Sequence, residues 1–389
     1  HRRHMGEYYA LVMFAVIGMS LMAASRDLIP FYVSLELMAI SSYLLAAFFR
    51  YRVRSNESSL KYFLTGSFAS AVMLYGISLV YGQAGATNYE AIGQALGGRE
   101  VGTGIIFAVF LVAIGLAFKI SAAPFHMWTP DVYQGAPTPV AAFFSVGPKA
   151  AAFSVILAAY VVAFPAAAEE WGILFIVLSI LTMLVGNLFA LVQTNVKRLL
   201  AYSSIAHAGY LLAGVGAVGW SKNSYPGQAV LIYLIAYTFM NLGAFGVLTY
   251  LKAQLGGRFE YSLKQMAGLG RRSPWAGVLL SLFLLSLTGI PGTAGFIGKF
   301  YLFGALVWAD LVWLAVIGVL LSAVSAYYYL RVIIVMFFRE PEEELSISGP
   351  ISGGMAAGLA VTAIATLAIG IFPNWIWDSV VGAFGTLFN

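Results

Sequence analysis

Long apolar runs separated by short polar connections set the pattern of this chain. A bilayer-spanning α-helix needs about 20 predominantly apolar residues, and a helix satisfies its own backbone groups, as lipid requires. The sequence therefore predicts an all-α, polytopic transmembrane bundle of about eleven spans, at 8–24, 28–49, 60–81, 104–123, 138–164, 171–193, 197–218, 228–251, 275–307, 310–338 and 352–372.

Two of the predicted helices are interrupted, at Pro124 and at Pro291. Each interruption falls in the fourth of five consecutive spans, and because five is odd, the second set enters the membrane from the opposite side. This placement predicts two inverted five-helix repeats, each with a discontinuous helix. The alternative is that proline and glycine are simply commoner in membrane helices. The predicted divisions are a first repeat at 1–168, a second at 169–339, and at 340–389 an acidic loop, a last transmembrane helix and a C-terminal tail.

Composition supports a membrane protein with little soluble mass. Hydrophobic residues make up 61% of the 389 residues and charged residues only 10%, whereas soluble domains carry roughly 25% charged residues. The absence of cysteine excludes disulfides, thiolate zinc sites and cysteine-ligated iron–sulfur clusters. The net charge of +5 comes from scattered basic residues, with no aromatic-interleaved basic patch, so no nucleic-acid partner is expected.

Basic residues are distributed very unequally between the two predicted sides. With the N-terminus in the cytoplasm, fifteen of the 21 Lys and Arg residues fall on the cytoplasmic side and three on the other, as the positive-inside rule expects. The remaining three are Lys119, Lys149 and Lys299, which lie inside predicted spans.

These three lysines are costly where they lie, because a charge at mid-bilayer costs ~2.5–3.5 kcal/mol on insertion scales. Snorkelling to the headgroups explains Lys61, near a helix start, better than it explains the other three. A static ion pair with Glu36, the one carboxylate well inside a span, accounts for one lysine only. Since a buried, unpaired amine exchanges its proton readily, we favour a proton relay through these groups.

His207 lies in the middle of a predicted helix, with hydroxyl-bearing residues one turn away. Histidine titrates near neutral pH, so His207 either relays protons or hydrogen-bonds a neighbouring helix. The sequence leaves both interpretations open. No pattern in the chain predicts a metal site or a cofactor-binding loop.

Four stretches of the sequence carry a family pattern, namely KYFL at 61–64, FKISAAPFHMWTPDVYQGAPTPV at 118–140, QTNVKRLLAYSSIAH at 193–207 and GIPGTAGFIGKFY at 289–301. They resemble antiporter-like subunits of respiratory complex I (NADH:quinone oxidoreductase). Within the family, the sequence of residues 129–137 is similar to subunit N rather than to subunits L or M, and the resemblance covers essentially the whole chain.

The resemblance implies a fourteen-helix bundle of which the first three helices are absent here. It implies that Glu36 and Lys119 form the paired acid and base of the first half-channel, that Lys149 is the central relay lysine, and that Lys299 is the lysine of the second broken helix. Lys61 matches a lysine near the cytoplasmic entrance.

The implied function is proton translocation as a subunit of the translocase NADH:quinone oxidoreductase, with no redox site in this chain. FMN, iron–sulfur clusters and quinone would then belong to partner subunits. The implied partners are neighbouring antiporter-like and small connecting membrane subunits, and the implied location is the bacterial inner membrane, crossed many times. Alternatives are a subunit of a multi-subunit Na+/H+ antiporter, a membrane-bound hydrogenase or ferredoxin-driven complex, and a purely structural scaffold.

Overall fold

The structure is a computed structural model that describes residues 5–97, 101–256, 259–341, 349 and 351–388. Its α-helices are α1 Met5–Ala24, α2 Leu28–Ala46, α3 Val53–Ala84, α4 Tyr89–Leu96, α5 Thr103–Lys119, α6 Trp128–Gly135, α7 Thr138–Ala163, α8 Ala168–Leu191, α9 Val196–Ser221, α10 Tyr225–Leu255, α11 Leu263–Met266, α12 Leu269–Arg272, α13 Pro274–Thr288, α14 Ala294–Trp308, α15 Val312–Phe338, α16 Gly353–Ile371 and α17 Asn374–Phe388.

The helices confirm the predicted all-α, polytopic bundle. Nine of the described helices are long and apolar enough to cross a membrane, and α5, α13 and α14 are shorter apolar helices. The long run predicted at 275–307 is in fact two helices, α13 and α14, which meet at the second interruption. If the α13–α14 pair is counted as one crossing and α5 as another, these two and the nine long helices give the eleven predicted crossings.

The division into two repeats stays a prediction. Its boundary falls at the start of α8, beside a short 3₁₀ turn at Pro165–Ala167. Part of the predicted acidic loop, residues 342–348, lies outside the described residues. So do four of the basic residues counted above, namely Arg2, Arg3, Arg99 and Arg258.

Helix α9 lies at the centre of the bundle. It packs against α6, α7, α8, α10, α14 and α15, and between Val196 and Gly219 all of its residues except Arg198 and Tyr202 are buried. Helix α1, by contrast, buries only Ala15, Gly18 and Met22. A helix that is enclosed on all sides is the natural place for groups that must be kept from lipid.

Small residues let α8 and α9 pack closely. A Cβ atom at Gly186 would lie 2.4 Å from the backbone nitrogen of Ala206, and one at Gly209 would lie 2.7 Å from the backbone nitrogen of Met183. Lipid chains are as apolar as leucine, so contact between membrane helices depends on such close van der Waals packing. The α8–α9 hairpin is therefore fixed in register by two glycines.

Candidate functional site

The first helix interruption places Lys119 inside the bundle. Lys119 is the last residue of α5, and Ser121 follows in the left-handed region with φ +65°. The backbone N–H of Ala123 donates to the hydroxyl of Thr182 over 2.9 Å, so a side chain from α8 satisfies a donor that the break has freed. Such local compensation is what non-helical backbone at membrane depth needs.

The amine of Lys119 is enclosed by aromatic side chains and is 3% exposed. Its Nζ donates to the hydroxyl of Tyr43 over 3.4 Å. It also lies 5.4 Å from the ring centre of Tyr43, 6.0 Å from that of Tyr62 and 5.8 Å from that of Phe118. Aromatic faces attract an ammonium ion, so this cage stabilises the charged amine without a counter-ion.

Glu36 lies near Lys119 but does not touch it. The carboxylate accepts a hydrogen bond from Ser70, whose Oγ is also 3.1 Å from the hydroxyl of Tyr32. Among the ion pairs of the described residues, none joins Glu36 to Lys119, although their charges interact. The acid and base that the family resemblance pairs are thus neighbours separated by other groups.

Lys149 lies in the middle of α7, one residue after Pro148, and is 2% exposed. Its Nζ donates to the main-chain oxygen of Ser204 over 2.6 Å and to the Ser204 hydroxyl over 2.5 Å. That hydroxyl also accepts a hydrogen bond of 2.8 Å from Tyr237. Every partner of this amine is a neutral oxygen.

His207 follows Ser204 by three residues on α9 and is also buried. Its Nδ1 is 2.6 Å from the hydroxyl of Tyr233, on α10, and its Nε2 is 3.3 Å from that of Tyr329, on α15. On α9 it lies between Ser204, which binds Lys149, and Tyr210, whose ring centre is 5.3 Å from the amine of Lys299. His207 therefore hydrogen-bonds neighbouring helices, and it does so at a position between two of the lysines.

The second interruption holds Lys299. Helix α13 ends at Thr288, Gly289 adopts φ +97°, and α14 begins at Ala294. From the second turn of α14, Lys299 Nζ reaches back to the main-chain oxygens of Leu287 at 3.0 Å and Thr288 at 2.8 Å, and to the hydroxyl of Ser322 at 2.7 Å. A Cβ at Gly289 would lie 3.1 Å from Lys299 Cδ, so glycine allows both the turn and the path of the lysine chain.

Lys61 belongs to a charged cluster at an open end of the bundle. Its Nζ lies 2.7 Å from Glu57 and 3.0 Å from Asp131, and Asp131 also pairs with Arg198 at 2.7 Å. Partial burial alone would raise the pKa of Asp131, but the hydrogen bonds and charges of Arg198 and Lys61 hold that pKa below its ordinary value. Glu57, Lys61 and Asp131 line a cavity of about 270 Å³, which is large enough for water to enter.

Sequence reasoning underestimated the structural roles of two charged residues at this site. Lys197 was counted with the cytoplasmic basic residues, yet it is 2% exposed and donates to the main-chain oxygen of Ala136 over 2.8 Å. Asp131 was not singled out by the sequence patterns, but it joins α3 to α9 through two ion pairs. Neither the Arg198 next to Lys197 nor the residues around Asp131 indicate these contacts in the sequence.

The arrangement provides buried amines, one imidazole and many hydroxyls. In the described part of the chain, no group of three or more His, Cys, Asp or Glu side chains is placed to hold a metal ion. Lysine, histidine and tyrosine side chains can accept and release protons, and the hydroxyls can carry them between sites. Proton movement is the chemistry that this set of groups can perform.

Comparison with known proteins identifies similar chains. The model of the family described as NADH:quinone oxidoreductase/Mrp antiporter, transmembrane, matches residues 25–325. NADH-quinone oxidoreductase subunit N of Trichlorobacter lovleyi is 47% identical over 95% of this chain and 75% of its own length.

Two solved structures share the fold. A chain of respiratory complex I from Thermus thermophilus with bound aureothin superposes with a TM-score of 0.82 at 38% identity, over 98% of this chain and 81% of that one. A chain of an archaeal membrane-bound sulfane sulfur reductase superposes with a TM-score of 0.87 at 26% identity, over 98% of this chain and 76% of that one.

Proposed function

Because the chain belongs to the NADH:quinone oxidoreductase/Mrp antiporter transmembrane family, we propose that it is a proton-translocating membrane subunit of NADH:quinone oxidoreductase. FMN, iron–sulfur clusters and quinone would be held by partner subunits. Its partners would be neighbouring antiporter-like and small connecting subunits, in a bacterial inner membrane. The 47% identity to a subunit N supports this assignment over an antiporter subunit.

One observation carries the proposal: the three buried lysine amines have neutral hydrogen-bond partners. Lys119 donates to a tyrosine, Lys149 to Ser204, and Lys299 to two carbonyls and a serine. An amine in a static buried ion pair leaves an uncompensated carboxylate when it loses its proton. An amine that faces hydroxyls and carbonyls leaves no such charge, so its proton is free to be exchanged.

The proposed route follows the placement of these groups. Protons would enter at the cavity beside Lys61, reach Glu36 and Lys119, pass to Lys149, and leave from Lys299. His207, which lies between Ser204 and Tyr210 on α9, would connect the last two. Moving one charge across the membrane costs ~2.3 kcal/mol per 100 mV, so several coupled sites are needed to drive it.

The test is proton pumping by the whole complex in membrane vesicles. Lys119→Ala and Lys149→Ala should abolish or strongly reduce NADH-driven acidification per assembled complex. The amount of assembled complex is quantified by NADH oxidation with an artificial acceptor. Lys222→Ala, which changes an exposed lysine at the end of α9, is the matched control. Full pumping by both buried variants would contradict the proposal. Copurification without flavin and iron–sulfur subunits would instead favour an antiporter.

A further inference from the structure

We propose that the hydroxyl of Tyr43 carries the proton between the Glu36 side and Lys119. This inference rests on the proposed function, since it assigns a step within the same relay. It concerns a residue that the sequence patterns did not single out, and it follows from three independent features: the partner of Lys119, the position of Gly66, and the order of groups along α2 and α3.

The first feature is the hydrogen bond of Lys119. Among the described residues, the Tyr43 hydroxyl, at 3.4 Å, is the one hydrogen-bond partner of this amine. The rings of Tyr62 and Phe118 also lie near the amine, but neither side chain forms a hydrogen bond with it in the described structure. Any proton that leaves or reaches the amine through protein groups in this arrangement therefore passes the Tyr43 oxygen.

The second feature is a space reserved for that hydroxyl. A Cβ at Gly66 would lie 2.2 Å from Tyr43 Oη and 2.9 Å from its Cζ. Any other residue at position 66 would force the phenol away from its place. Gly66 lies within the long helix α3, where glycine costs roughly 0.5–1 kcal/mol relative to alanine. The glycine thus gives up helix stability and leaves room for the oxygen that faces Lys119.

The third feature is the matching order of groups on α2 and α3. Gly66 and Ser70 are one turn apart on α3, and they contact Tyr43 and Glu36, which are two turns apart on α2. One turn before Gly66, the ring of Tyr62 packs edge-on against Tyr43 at 4.7 Å. These contacts place the carboxylate and the phenol in order along one helix pair, and the amine of Lys119, on α5, meets that pair at Tyr43.

The transfer conserves one proton and leaves the tyrosine unchanged. Tyr43 gives its hydroxyl proton to the neutral amine of Lys119, which forms the N–H bond as the O–H bond breaks. The same oxygen receives a proton from the Glu36 side. No direct hydrogen bond joins Glu36 to Tyr43, so a bridging water would carry the proton across that gap. Reversal of these steps returns the proton.

A packing role for Tyr43 makes a different prediction. Packing depends on the ring, which phenylalanine retains, whereas proton transfer depends on the hydroxyl. The Tyr43→Phe variant separates the two roles because it keeps the ring and its contacts with Tyr62 and Phe63. Gly66→Ala tests the same role from α3, because the added methyl group displaces the Tyr43 hydroxyl but leaves the phenol chemically unaltered.

The experiment measures NADH-driven proton pumping per assembled complex in membrane vesicles. We expect Tyr43→Phe and Gly66→Ala to lower pumping at least about ten-fold, because proton transfer by a positioned group contributes roughly 10²–10⁴-fold. Tyr89→Phe is the control, because the buried Tyr89 hydroxyl has no hydrogen-bond partner in the described structure. Unchanged pumping in Tyr43→Phe or Gly66→Ala would overturn the inference.

A second measurement tests the inference if Tyr43→Phe or Gly66→Ala fails to assemble into the complex. Tyr43→3-fluorotyrosine keeps ring and hydroxyl but makes the phenol more acidic, so the pH profile of pumping should move to lower pH, and an unmoved profile would overturn the inference. The lysine variants separate failure of the proposed function from failure of the role of Tyr43. If Lys119→Ala and Lys149→Ala both pump normally, the proposed function fails. If Lys119→Ala does not pump normally but Tyr43→Phe does, only the role of Tyr43 fails.

Discussion

The amine of Lys299 donates a hydrogen bond of 2.8 Å to the main-chain oxygen of Thr288, the last residue of α13. The lysine comes from α14, so the second half of the broken helix caps the first. Carbonyl groups at a helix C-terminus carry partial negative charge, which favours a nearby cation. The amine thereby satisfies carbonyl oxygens that the interruption would leave exposed at membrane depth.

Removal of this amine should affect both stability and pumping. Lys299→Met leaves the carbonyl of Leu287 without its side-chain donor and that of Thr288 with only a 3.5 Å contact to the Ser322 hydroxyl, at a cost of about 1–3 kcal/mol in unfolding free energy. We expect a lower melting temperature in detergent and loss of pumping in vesicles. Lys222→Met, at an exposed site, should change neither. A variant that pumps normally would show that Lys299 serves only as a helix cap.

Ser204 should matter less than the lysine that it binds. Ser204→Ala removes the hydroxyl that accepts from Lys149 and from Tyr237, but the main-chain oxygen at 2.6 Å remains. We expect a loss of about 0.5–1.5 kcal/mol in stability and a partial fall in pumping, smaller than that of Lys149→Ala. Ser179→Ala is the control, since its buried hydroxyl has no partner in the described structure.

Hydropathy identified Lys119, Lys149 and Lys299 because a basic residue within an apolar run stands out in any one span. It did not identify their partners. Ser204, Tyr43 and Ser322 are ordinary residues of their own helices, and they contact the lysines only because helices distant in the sequence pack together. Side-chain partners across helices depend on packing, which periodicity along one helix does not contain.

The Asp131 ion pairs should stabilise the fold modestly. Asp131→Asn weakens contacts to Lys61 and Arg198, which are 48% and 30% exposed, respectively; such pairs contribute about 0.2–1 kcal/mol each. A double-mutant cycle of Asp131→Asn with Lys61→Met, measured by thermal unfolding, should give a coupling of this size. Because the lowered pKa keeps Asp131 ionised near neutral pH, the coupling should be equal at pH 6 and pH 8 and should fall only in strong acid. A coupling of zero would show that the pair is incidental.

The charges at the start of α9 show where the sequence misleads. Lys197 and Arg198 are adjacent and look like one basic pair at a membrane surface. In the structure Arg198 binds Asp131, whereas Lys197 turns inward to main-chain carbonyls at the C-terminal end of α6. Successive residues on a helix point about 100° apart, so two neighbours can face opposite environments. Only the positions of α6 and α7 decide which residue faces inward.

The α8–α9 contact should tolerate no added atom. Gly186→Ala would place a methyl group 2.4 Å from the backbone of Ala206, and overpacking of this kind costs about 1–3 kcal/mol. Gly82→Ala is the control, because its Cβ meets nothing within 4 Å; alanine should stabilise that helix by roughly 0.5–1 kcal/mol. Melting temperatures of the purified variants should therefore shift in opposite directions.

Helix α9 carries Ser204 and His207, whose side chains contact Lys149 on α7 and Tyr329 on α15. A small movement of α9 along its axis would shift both contacts by nearly the same amount, because the hydrogen-bonded helix between these two residues cannot stretch. Helices α7 and α15 are therefore mechanically coupled through α9.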